Sequence, residues 1–263
     1  HYGNLHLHKD ASLIVNTTPV GMYPNNGTAP VQLDAFPKLE GVLDVIYNPS
    51  RTQLLMDAEH RGLVSMNGLL MLVAQAKESA EWFTVKSIPD AKIHEIHANL
   101  AREMENIILI GMPGSGKSTI GKLLAEKTGK TFVDADTMVE EQAGCTIPCI
   151  FAEQGESGFR ALETQVLAQI GKSSGLVIAT GGGCVTKEEN YPLLHQNGSI
   201  FCIERDIETL ATDGRPLSQS AKMEEMYRVR KPLYARFADH TIDNNGAPDD
   251  TAEQILSIWE GNS

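Results

Sequence analysis

The 263-residue sequence predicts an α/β protein: a parallel sheet with helices on both faces, preceded by a shorter, partial α/β segment. Three observations carry this reading. Strand-like apolar runs alternate with amphipathic runs in both halves, the run "NIILI" at 106–110 passes through a glycine-framed loop into a helical pattern, and a charged helical stretch divides the halves. The length and the 41% apolar content suit two modest cores better than one. A formal net charge of −12 argues against nucleic acid or an anionic membrane as partner, because phosphate surfaces are normally met by basic faces. No apolar stretch reaches the roughly 20 residues needed to cross a bilayer, and there is no basic-then-apolar leader, so a soluble, cytoplasmic protein is expected. A start at His1 rather than at methionine implies further residues upstream.

The elements follow in chain order. His6 and His8 alternate with Leu5 and Leu7, as on the exposed face of a strand or loop, and two histidines alone make a poor metal site. "SLIV" at 12–15 reads as a strand that breaks into a Thr/Pro/Gly/Asn loop. Residues 41–47 read as a buried strand, Asn48 and Pro49 as a turn, and 52–60 as an amphipathic helix closed by Gly62. A long helix follows Asn67 and Gly68, with apolar residues at 69, 72, 73, 76, 80 and 83 forming a core face. The expected organisation is a first segment over 1–88, a helical linker over 89–104 and a second domain over 105–263. In that domain, strand 106–110, loop, helix 117–128, strand 131–134, helices to 172, strand 176–179, a glycine turn, helix 187–195 and strand 199–204 imply a parallel sheet with ligands at its carboxyl edge. Cys145, Cys149, Cys184 and Cys202 form no C-x-x-C pair and no cluster at zinc spacing, so buried free thiols are expected.

Gly111-Met112-Pro113-Gly114-Ser115-Gly116-Lys117-Ser118, followed by Thr119, matches the eight-residue phosphate loop in its strand-before, helix-after context. Glycines let the backbone amides approach phosphate oxygens, Lys117 would bridge the outer phosphates, and the Ser118 hydroxyl would ligate magnesium. Asp134 and Asp136 share one strand face and would serve a metal's water shell and accept a proton from an acceptor hydroxyl; helix capping by Asp136 is the alternative. Arg160 falls in a helical pattern. Gly181, Gly182 and Gly183 end a strand, where bare backbone approaches a small ligand.

With these features in order, and with "GRPL" and "RKPLY" after them, residues 106–255 resemble shikimate kinase. The resemblance implies a P-loop kinase fold of the nucleoside-monophosphate-kinase type, ATP and Mg2+ as cofactors, and phosphorylation of the 3-hydroxyl of shikimate. It makes Lys117, Asp136, Arg160 and Arg230 the catalytic set. Asp136 would be the base on the acceptor hydroxyls, Arg160 and Arg230 would clamp the carboxylate beside Gly181–Gly183, Asp134 would lie near magnesium, and Arg215 would contact adenine or phosphate. Two planar guanidinium forks suit a carboxylate and exclude neutral sugars. A short lid is expected around 212–224, lacking a clear counterpart of the family's lid arginine, for which Lys222 or Arg228 is a weak substitute. Another small acceptor, of gluconate or nucleoside-monophosphate type, is the competing reading.

Residues 13–83 resemble the carboxyl-terminal part of shikimate dehydrogenase, through "NTTPVGM", "DVIYNPSRTQLL" and "NGLLMLVAQA". The likeness implies a partial Rossmann-like segment, with Thr17 and Met22 along an NADP groove, Tyr47 and Gly68 near the nicotinamide, and Gln75 at shikimate. No G-x-G-x-x-G/A fingerprint precedes residue 16, and no upstream domain supplies that family's catalytic lysine and aspartate, so the segment is expected not to transfer hydride as given. A complete upstream domain would add NADP and make the protein bifunctional. A docking or stabilising module, or a nucleotide-binding relic, is the non-enzymatic alternative, and self-association through the first segment is the partner reading that goes with it.

Overall fold

The computed structural model describes residues 2–210 and 218–261. The chain divides into two compact units, His1–Met104 and Glu105–Ser263. Arg215 and part of the expected lid lie outside the described residues.

The first unit carries β1 (Leu13–Asn16), β2 (Gly41–Asp44), α1 (Gln53–His60), β3 (Val64–Met66), α2 (Leu69–Thr84) and α3 (Ala91–Met104). Its three strands are parallel in the order β1-β2-β3, with Ile14 opposite Val42 and Val42 opposite Ser65. Thr52 starts α1 by accepting a hydrogen bond from Leu55 N, and Leu54, Leu55 and Ala58 of that helix pack with Val42, Leu33 and Phe36. The other sheet face is uncovered: Leu13, Val15, Val64 and Met66 are 52%, 50%, 75% and 50% exposed. Residues 2–8 coil as a 3-10 helix, not as the strand or loop that the His/Leu alternation suggested. On α2 only Leu69 and Val73 of the expected core face are buried, and Phe83 is 89% exposed. The helix read as a linker, α3, packs against α2 and belongs to the first unit; Lys77 of α2 bonds Asp90 at 2.8 Å just ahead of it.

The second unit carries β4 (Asn106–Ile110), α4 (Lys117–Thr128), β5 (Thr131–Asp134), α5 (Ala135–Ala143), α6 (Ile147–Ile170), β6 (Leu176–Ala179), α7 (Asn190–His195), β7 (Gly198–Glu204), α8 (Ser218–Phe237), β8 (His240–Asp243) and α9 (Pro248–Gly261). The parallel sheet runs β5-β6-β4-β7-β8. Every residue of β4 is buried, as a central strand covered on both faces requires. Its side chains alternate: Ile107 and Leu109 join Ile120, Leu124, Ile255 and Trp259 on one face, while Ile108 and Ile110 join Val139, Val166, Leu194 and Phe237 on the other. The chain moves from β4 out to β5, returns to β6, and then crosses to β7. The carboxyl ends of β4 and β6 therefore lie side by side at a switch point, where α/β sheets bind ligands.

Three readings need correction here. The helix expected from 187 starts at Asn190, after a separate 3-10 turn at Cys184–Thr186, and Asn190 holds that turn by donating to Cys184 O at 2.8 Å. β3 and β8 were not anticipated, because each is a short edge strand and only Ile242 of β8 carries a buried apolar side chain. Of the four free thiols, Cys184 and Cys202 are buried, but Cys145 and Cys149 are only half-buried and converge with Glu153.

Candidate functional site

The phosphate loop leaves β4 through three glycines at positive φ: 142° at Gly111, 80° at Gly114 and 97° at Gly116. These conformations are open to glycine and disfavoured for other residues. The loop is also held from the far end of the chain. Asn244, just past β8, donates to Ser115 O at 2.7 Å, and a Cβ on Gly116 would meet that amide nitrogen at 2.5 Å. Lys117, the first residue of α4, is buried and donates to Gly111 O at 3.0 Å and Met112 O at 2.8 Å. Burial pushes its pKa down, and the charges of Asp136 and Asp134 pull the other way.

Asp134 ends β5 and caps α5. One carboxylate oxygen accepts from Asp136 N and Thr137 N, at 3.1 and 3.4 Å, and the other accepts the Ser118 hydroxyl at 2.7 Å. The cap of this helix is thus Asp134 and not Asp136, which frees the Asp136 side chain. Burial, and then the neighbouring Asp134 charge, raise the Asp136 pKa. The Ser118 hydroxyl and the Asp134 carboxylate are hard oxygen donors at one point beside the loop, a donor set that fits magnesium.

The glycine triplet is where the remaining groups meet. A Cβ on Gly181 would stand 2.5 Å from Asp136 Oδ1 and 2.7 Å from Glu163 Oε1. On Gly182 it would lie 2.6 Å from Pro113 Cδ of the phosphate loop, and on Gly183 it would lie 2.0 Å from Arg160 Nη2. Three bare residues therefore let an acid, an arginine and the phosphate loop close on one turn. Arg230 of α8 reaches the same turn and donates to Gly182 O at 3.1 Å. Arg160, on α6, donates to Glu163 Oε2 at 2.7 Å, and both side chains are almost fully buried. Burial pushes the Glu163 carboxyl up while Arg160 pulls it down.

A cavity of about 470 Å³ opens on Pro113, Gly114, Gly116, Lys117, Ser118, Thr119, Asp134, Asp136, Thr180, Gly182 and Arg205. Sequence reasoning missed four residues of this site. Glu163 is signalled by its position three residues after Arg160 on a helix, and Arg205 by its place immediately past the carboxyl end of β7. Arg205 Nε is buried with no hydrogen-bond partner among the described residues. Tyr234, whose hydroxyl donates to Gly182 O, and Asn244 come from late in the chain, and no local pattern marks them.

In the first unit, Thr17, Met22 and Tyr47 line a cleft of about 400 Å³ at the carboxyl ends of β1 and β2, together with Thr18, Pro19, Tyr23, Val45, Ile46 and Asn48. A buried network ties the ends of these strands together: Asp44 accepts from Asn16 Nδ2 at 3.0 Å, Thr52 Oγ1 at 2.7 Å and Ile46 N at 3.1 Å. Gly68 packs so closely on β2's exit that a Cβ would lie 1.9 Å from Val45 O. Gln75 is exposed on α2 and is not among the lining residues.

Comparison with known proteins is consistent with this geometry. The family model for shikimate kinase matches residues 113–260. A shikimate kinase of Parasynechococcus marenigrum is 43% identical over 162 residues, which cover 58% of this chain and 85% of that protein. A solved structure, the shikimate kinase from Acinetobacter baumannii in complex with shikimate, is 38% identical, with a TM-score of 0.57, and covers 63% of this chain and 98% of that one. A chorismate mutase/shikimate 5-dehydrogenase fusion protein from Clostridium acetobutylicum is 41% identical over 34% of this chain and 32% of its own, with a TM-score of 0.32. Among the described residues no helix is long and apolar enough to cross a membrane. Because the family model covers more than half of its length, this chain belongs to the shikimate kinase family.

Proposed function

We propose that the second unit transfers the γ-phosphoryl group of ATP to the 3-hydroxyl of shikimate. The observation that carries the acceptor half is the convergence of Asp136, Arg160 and Arg230 on Gly181–Gly183, next to Pro113 of the phosphate loop. The loop amides and Lys117 hold and neutralise the donor phosphates, and Ser118 with Asp134 would hold magnesium, which would supply charge neutralisation for the transferring group. Asp136 orients the acceptor hydroxyl and takes its proton as the oxygen attacks phosphorus, with ADP leaving. Arg160 and Arg230 clamp the carboxylate, and Glu163 holds Arg160 in position. Arg205 adds a cation at the donor end, next to the loop that Lys117 anchors. Steady-state ADP release with and without shikimate tests the proposal: shikimate should stimulate release strongly at saturating ATP and Mg2+, and release indifferent to shikimate would overturn it. If a neutral or phosphorylated acceptor stimulated better, the arginine pair would have been misread.

For the first unit we propose, from its resemblance to shikimate dehydrogenase, that the mostly apolar cleft at the carboxyl ends of β1 and β2 takes the nicotinamide end of NADP. Quenching of NADPH fluorescence by the full chain checks this, and unchanged fluorescence would overturn it.

A further inference from the structure

Between residues 131 and 159 the chain has no lysine or arginine, while Asp134, Asp136, Glu140, Glu141, Glu153 and Glu156 supply carboxylates. In this stretch lies a cluster outside the kinase site. Cys145 is in the connection between α5 and α6, Cys149 in the first turn of α6, and Glu153 one turn further. Their donor atoms all lie within 4.8 Å of one another, and the Cys149 thiol donates to Glu153 Oε1 at 3.4 Å. Cys149 and Glu153, four residues apart, share one face of α6, and Cys145 meets them from the connection that precedes the helix. The connection is tied from its other side as well, because Glu140 of α5 accepts from Ile147 N at 2.8 Å.

We propose that Cys145, Cys149 and Glu153 form a binding site for a borderline-soft divalent cation of the zinc class. Two sulfurs and one carboxylate select such an ion over magnesium, and the spacing C-x3-C falls within that of zinc sites. Binding forms two metal–sulfur bonds and one metal–oxygen bond, with both thiol protons released to solvent and water in the fourth position. A carboxylate facing both thiols favours this over a disulfide, which would leave Glu153 without a role.

The site has a mechanical consequence. Gly155, at φ 68° and ψ −174°, adopts a backbone conformation essentially reserved for glycine and breaks α6 between Glu153 and Arg160. Phe151 and Phe159 stack across the break with ring centroids 4.8 Å apart. A cation would lock the piece before the bend, whose partner piece carries the carboxylate-clamping arginine.

The test uses the full chain with thiols kept reduced by a phosphine. Co2+ titration, followed by the sulfur-to-cobalt charge-transfer band, and Zn2+ competition against a chromogenic chelator should both show one site. Each of Cys145→Ser and Cys149→Ser should lose at least about 100-fold in affinity, the upper end of what even outer-shell changes cost, and Glu153→Gln about tenfold. All three side chains are partly exposed, so the variants should fold, and circular dichroism verifies this. Cobalt bound without a sulfur band, affinity that survives both serine substitutions, or no binding at all would overturn the proposal.

Discussion

The two units of this chain use the same device, a loop at the carboxyl edge of a parallel strand, and differ in how firmly the strand beneath it is held. In the second unit β4 is buried along its whole length between helices on both faces, and the loop above it is fixed by its glycines, by Lys117 and by Asn244. In the first unit the Asn16–Asp44–Thr52 network orders one side of the sheet, while Leu13, Val15, Val64 and Met66 leave the other side half-exposed or more. A site for phosphoryl transfer depends on positioning and fixed charge, and the second unit gathers Lys117, Asp134, Asp136 and Arg205 at its sheet edge. The first offers a mostly apolar cleft lined by Thr17, Met22 and Tyr47. Two parallel sheets thus carry a cluster of charged groups in one place and a mostly apolar cleft in the other.

The sharpest way to break this contrast is at Lys117. Lys117→Ala should lower kcat by roughly 10²–10³-fold, as loss of a preorganised transition-state charge does, and should leave NADPH quenching by the first unit unchanged; single-turnover ADP formation measures the first and fluorescence the second. Asp136→Asn should cost about 10²-fold or more, the contribution of a positioned base. Because Asp136 must be ionised to act and its pKa is raised, the acid limb of the kcat profile should lie above the ordinary aspartate range. Asp134→Asn removes one of the charges that raise it, so the limb should move to lower pH. A limb that stays put would remove Asp136 from the base role.

Gly183→Ala is a subtler test. Its methyl group would occupy the position of the Arg160 guanidinium, so the KM for shikimate should rise about tenfold, the worth of one charge-assisted hydrogen bond, with the KM for ATP nearly constant. Smallest of all should be Val64→Lys on the uncovered face of the first unit, within about 0.5 kcal/mol of the parent in urea unfolding. Ile108→Lys, at the middle of the second unit's central strand, should prevent folding. A large cost at Val64 would mean that the uncovered face is occupied in solution.

How much of this was legible in the sequence depends on how local each feature is. The phosphate loop, Asp134, Asp136 and the strands from 106 to 179 were readable because a strand, a turn and a helix write their signals within a few residues. Arg160 and the glycine triplet were readable as residue types, but their relation was not: nothing in "GFR" or "GGG" says that one guanidinium rests where the other has no side chain. Residues 13–83 were recognised as a segment, yet the exposure of Leu13, Val15, Val64 and Met66 runs against the fully buried strands that a parallel sheet leads one to expect. Cys145 and Cys149 were read as free thiols without Glu153, because Cys145 lies before α6 begins and the approach of the three side chains depends on how the α5–α6 connection folds.

The hydrogen bond from Asn244 to Ser115 joins residues 129 positions apart. The motif that looks most self-contained in this sequence is therefore finished by one of the last strands, itself braced by Thr251 donating to Asn244 Oδ1 at 2.8 Å. A growing chain displays the whole phosphate-loop motif long before Asn244 leaves the ribosome, but it lacks the amide that holds Ser115 until then. Retention on an immobilised ATP analogue should accordingly act as a late checkpoint of synthesis, passed by chains that have docked β8 and missed by those broken off before it.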